Sequence, residues 1–67
     1  MSPHQQRVID EKADIDGQLE RLLASMGGPI YEKLANAEKA RMTRQAAIMR
    51  LLSNVLGERI GAFEEAP

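Results

Sequence analysis

The sequence predicts an all-α fold: an antiparallel two-helix hairpin with a short helical turn in its connection, assembling into an oligomeric helix bundle. Three observations carry this. Met26-Gly27-Gly28-Pro29 cannot continue a helix, because two glycines precede a residue whose ring clashes with the turn before it and whose nitrogen has no proton to donate. A periodic apolar stripe runs up to this break, and a wider one runs on from it. The helices are expected near residues 3 to 25 and 36 to 61, in one domain of residues 1 to 63 with a disordered acidic tail at 64 to 67.

Ser2-Pro3 opens the first helix, since a serine hydroxyl accepts an orphan backbone N–H and proline at the first helical position loses no needed donor. Val8, Ile15, Leu19, Leu22 and Met26 follow alternating three- and four-residue steps once Lys12 takes one of them, which is a coiled-coil seam. Ile9 and Leu23 widen it on one flank. Asp10, Asp14, Gln18 and Arg21 form the solvated face. Gly17 costs this helix about 1 kcal/mol relative to alanine, read as tolerated slack rather than the close approach of another backbone.

Past the break, Pro29 to Leu34 reads as a helical turn that lays Ile30 and Leu34 over the closed end, and Asn36 is placed to cap the second helix. Gly61 begins the fraying end of that helix. Within it Ile48, Met49, Leu51, Leu52, Val55, Leu56 and Ile60 cover close to half the circumference at about 100° per residue. One partner helix cannot cover so wide an arc. Ile48, Met49, Leu52, Val55 and Leu56 are therefore expected to form a homo-oligomer interface, in a dimer that makes a four-helix bundle or in a higher even-numbered assembly.

A chain of 67 residues buries a small share of its surface and gains little over the entropy of ordering it. With no cysteine, neither disulfides nor a Cys-based zinc site can help, which leaves association. Nine basic residues against ten acidic ones lack the cationic excess a non-specific nucleic-acid binder needs. No apolar run approaches the roughly 20 residues that cross a bilayer, and the opening Met-Ser-Pro-His-Gln-Gln carries no export segment, so a cytoplasmic protein without a membrane partner is expected.

Antiparallel pairing about the break sets helix-one residue i near helix-two residue 63 or 64 minus i, bringing His4, Gln5, Arg7 and Glu11 close to Glu58 and Arg59. Gln5, Lys12, Gln45 and Arg59 fall within the seams, where polar groups ordinarily fix register or snorkel to water and less often bind a ligand. His4 is the only histidine and sits at a helix start, where a solvated ring is the ordinary outcome. The acidic residues Asp10, Glu11, Asp14, Asp16 and Glu20 have no loop to add further oxygens, so no metal site is expected. Arg41, Arg44 and Arg50 do not share one helix face, which argues against a recognition helix. No nucleophile and base pair, phosphate-cradling glycine loop or zinc motif is present, so neither catalysis nor a cofactor is expected.

His4-Gln5-Gln6-Arg7-Val8-Ile9-Asp10-Glu11-Lys12, then Leu19, Leu22-Leu23, Tyr31, Leu34, Glu38, Gln45 and Met49, and the closing Val55-Leu56-Gly57-Glu58-Arg59-Ile60 together resemble a family of small phage and prophage proteins named after a crAss-like phage. The likeness spans nearly the whole chain. It is most specific at the His-Gln-Gln-Arg-Val opening and the Glu-Arg-Ile close, and it departs at Met26-Gly27-Gly28-Pro29, where the family's first helix ends in aromatic and aliphatic residues. The resemblance implies a virus-encoded accessory protein of the bacterial host cytoplasm.

By analogy with small helical phage proteins, such a protein disarms host defence by binding, either sequestering a cyclic or adenine nucleotide signal or blocking a defence protein. The candidate ligand-binding residues are His4, Gln5, Arg7, Glu11, Lys12, Tyr31, Arg44 and Arg59, which offer guanidinium groups for phosphate and a ring for stacking. The alternative is a structural or regulatory coiled-coil module with no small-molecule site.

Overall fold

The computed structural model describes residues 1–63 and is all-helical: α1 spans Pro3–Met26, α2 Pro29–Glu32 and α3 Asn36–Ala62. The expected acidic tail at 64 to 67 lies outside the described residues. The start of α1 follows from its sequence. Ser2 Oγ accepts from Gln5 N at 3.1 Å while Gln5 Oε1 accepts from Ser2 N at 3.0 Å, a reciprocal box that satisfies two backbone donors, and Pro3 occupies the first helical position. Gly27 and Gly28 end the helix, and Pro29 opens the single turn of α2.

Two details of the connection differ from expectation. Ala35, not Asn36, precedes the first helical residue of α3, and no side chain caps the helix, because Asn36 already lies inside it and alanine at the cap has no acceptor to offer. Ile30 is exposed rather than laid over the closed end, and Leu34 is half-buried. The single turn of α2 contacts α1 and buries none of its residues.

α3 packs back along α1 in an elongated body of 52 × 14 × 14 Å. Lys12 of α1 meets Ser53 and Gly57 of α3, and a core of Leu19, Ala46 and Met49 is flanked by Ile15, Leu22 and Met26. Pairing about the break in the expected register would set Lys12 opposite Leu51 or Leu52, whereas Lys12 meets Ser53 and Gly57, so a different face of α3 is turned to α1. The reason lies in its sequence. Met42, Ala46, Met49, Ser53, Leu56 and Ile60 repeat at alternating four- and three-residue steps, matching the steps of Val8, Lys12, Ile15, Leu19, Leu22 and Met26 in α1. This stripe faces α1, and its small members Ala46 and Ser53, with Gly57 beside them, let the helices approach. The bulkier Ile48, Leu51, Leu52 and Val55 remain outside.

Candidate functional site

The stripe that joins the helices carries one polar network. Lys12 Nζ donates to Asp16 Oδ2 at 2.8 Å, one turn along α1, and to Ser53 Oγ at 3.1 Å on α3. Ser53 Oγ in turn donates to Asp16 Oδ1 at 2.5 Å. The Lys12 ammonium, then the Ser53 hydroxyl, hold the Asp16 carboxyl below its ordinary range. The network ties α1 to α3 through hydrogen bonds from Lys12 and Ser53 to one carboxylate. Its signal in the sequence was the serine at a seam step between Met49 and Leu56, opposite a lysine at a seam step of α1.

The sequence-predicted site residues separate into three groups. Gln5 belongs to the helix cap and Lys12 to the interhelical network, so both are occupied structurally. Tyr31 is half-buried on α2, with Lys39 Nζ 5.3 Å from its ring centroid in a cation–π contact. His4, Arg7, Glu11, Arg44 and Arg59 are exposed, and among the described residues no hydrogen bond or ion pair joins them. Of the expected seam polar groups, Gln45 and Arg59 lie outside the seam, a consequence of the rotated face of α3.

The interface residues separate as well. Met49 and Leu56 are buried within the chain, Leu56 to 1% exposure, because they sit on the stripe that meets α1. Both were expected at an interface between copies, and within the chain they pack against α1. Ile48, Leu52 and Val55 remain exposed, joined by Leu51. Among the described residues no enclosed pocket is found, and no three His, Cys, Asp or Glu side chains are gathered as a metal site. No described helix is long and apolar enough to cross a membrane.

No curated protein and no solved structure matches the chain. A family does. The family model for Sequestin matches residues 2–62, from the capping serine through the last residue of α3, and the chain belongs to that family.

Proposed function

We propose that this protein is a non-enzymatic, phage- or prophage-encoded counter-defence factor that sequesters a nucleotide immune signal in the host cytoplasm. Family membership carries the reading: the name Sequestin is consistent with a role in binding a partner molecule rather than transforming one. The resemblance to small phage proteins supplies the setting. The chemistry of the surface supports a phosphate-bearing ligand, because Arg7, Arg44 and Arg59 are exposed and spend no charge on ion pairs among the described residues. With these groups on a convex rod, the ligand is held where copies of the chain meet.

A second reading, a structural or regulatory coiled-coil module without a small-molecule site, is favoured by the unbroken heptad steps of α1 and α3. A third, blockade of a defence protein, uses the same exposed surface. Thermal melts with a panel of cyclic oligonucleotides and adenine-nucleotide signals separate the first from the others, since any ligand at 100 times its Kd stabilises the fold by about 2.7 kcal/mol. A raised midpoint that Arg7→Ala and Arg59→Ala abolish supports sequestration. No shift with any ligand, together with intact counter-defence in both variants, rejects it.

A further inference from the structure

α2 cannot hold itself in place. Helices shorter than about 12 residues are marginal in water, and α2 is a single turn of which no residue is buried. Ile30 is 74% exposed. The carbonyls of the turn bond along the chain, accepting from Lys33 N at Ile30 O and from Leu34 N at Tyr31 O, each at 3.0 Å. Those bonds keep the turn wound without fixing where it lies.

Beyond its contact with α1, α2 is tied down by one side chain of α3. Lys39 Nζ donates to Glu32 O at 3.3 Å, at the C-terminal end of α2, where a helix presents unsatisfied carbonyls to a cation. The same ammonium lies 5.3 Å from the Tyr31 ring centroid. Among the described residues no other side chain hydrogen-bonds to α2. The linkage on the other side of α2 is free to move. Gly27 (φ −91°, ψ 0°) and Gly28 (φ −94°, ψ 171°) hold backbone conformations open to any residue, and a Cβ at either would meet only backbone oxygens, the nearest at 3.6 and 3.4 Å. The observed shape therefore does not require glycine at either position, and what the pair adds is freedom to leave that shape.

We propose that α2 is a hinged strap at the end where α1 and α3 are joined, pivoting at Gly27-Gly28 and latched by the Lys39 ammonium. Closed, the latch covers one face of the Tyr31 ring. Released, the strap parts Tyr31 from Lys39, so an aromatic ring and a cation become available together. The strap belongs to the free chain and operates whether or not the protein sequesters a nucleotide.

Amide hydrogen exchange of the full chain without nucleotide, read residue by residue by NMR, tests latch and hinge separately. Acrylamide quenching of tyrosine fluorescence is a second measurement, because Tyr31 is the only tyrosine and there is no tryptophan. Lys39→Met keeps the aliphatic stem and removes the ammonium. It is expected to speed exchange at Lys33 and Leu34 by about tenfold, through loss of a charged hydrogen bond and a cation–π contact, and to raise quenching of Tyr31, while exchange at the buried Leu19 and Leu56 is unchanged. Lys39→Arg retains a cationic donor and is expected to behave as wild type. Gly27→Ala and Gly28→Ala together are expected to slow exchange at Lys33 and Leu34 by restricting the open strap. Equal exchange and quenching in wild type and Lys39→Met, an effect that Lys39→Arg shares or that reaches Leu19 and Leu56 equally, or exchange that the paired alanines leave unslowed, overturns the proposal.

Discussion

Lys12 of α1 and Ser53 of α3 are joined across the helix pair by a 3.1 Å hydrogen bond, with Asp16 completing the network on both. This contact sets the register of the two helices, because sliding either by a turn would leave the buried Ser53 hydroxyl without partners. Apolar neighbours on the stripe tolerate such a slip far better, being non-directional.

Removing the hydroxyl tests its weight. Ser53→Ala leaves Lys12 and Asp16 paired at 2.8 Å and partly hydrated, so no orphan is created and the loss is one buried hydroxyl's interactions. The expected cost is about 1 kcal/mol, measured by urea denaturation.

Acid stability follows from Asp16. Its folded carboxyl titrates below its ordinary value through the Lys12 and Ser53 hydrogen bonds. Its contribution is therefore fully present above the unfolded value of about 3.9 and is lost as pH falls through the lowered folded value. Asp16→Asn is expected to melt earlier than wild type at neutral pH, with the gap closing as the solution is acidified below about pH 4. A gap that stays constant with pH would show that the carboxylate's charge has no part in it.

The two stripes of α3 should respond differently to truncation. Leu56→Ala empties a fully buried position and is expected to cost about 2 to 5 kcal/mol, enough to unfold a chain with so thin a core. Leu51→Ala, at 65% exposure, is expected to change the stability of the dilute chain by less than about 0.5 kcal/mol. Melts at low micromolar concentration compare them.

Gly17 and Gly61 mark unused stability. A Cβ at Gly17 meets only the flexible end of Arg21, its guanidinium, at 3.4 Å, and one at Gly61 meets nothing. Gly17→Ala is expected to raise stability by about 1 kcal/mol, with a smaller gain for Gly61→Ala near the helix end, both read from the thermal midpoint. Gly57 differs, since a Cβ there comes within 3.3 Å of Lys12 Cε and presses on the network.

Much of the architecture was legible in local chemistry. Ser2-Pro3 and Met26-Gly27-Gly28-Pro29 specify a start and a stop through backbone donors and proline geometry, which need no distant partner, and the observed bounds of α1 and α3 fall within a residue of those expected. The slack at Gly17 was likewise a local matter. Of the candidate site, the exposure of His4, Arg7, Glu11 and Arg44 is what solvated charges on helix surfaces imply, whereas Arg59, expected in a seam, is exposed because another face of α3 meets α1. Gln5, placed by its spacing in the seam and among the ligand candidates, instead closes a capping box with Ser2, a signal that the serine and the glutamine three residues later carry locally.

What the sequence by itself determined was the set of helices, their limits and the presence of more apolar surface on α3 than one partner can cover. Only the tertiary structure decided which part of that surface faces α1. α3 carries two apolar stripes about a third of a turn apart, and residue size favours Ile48, Leu51, Leu52 and Val55 as its core. The chain instead buries Ala46, Met49, Ser53 and Leu56. Close approach through small residues and a satisfied Lys12–Asp16–Ser53 network depend on α1 and α3 together, and no reading of one helix alone contains that information.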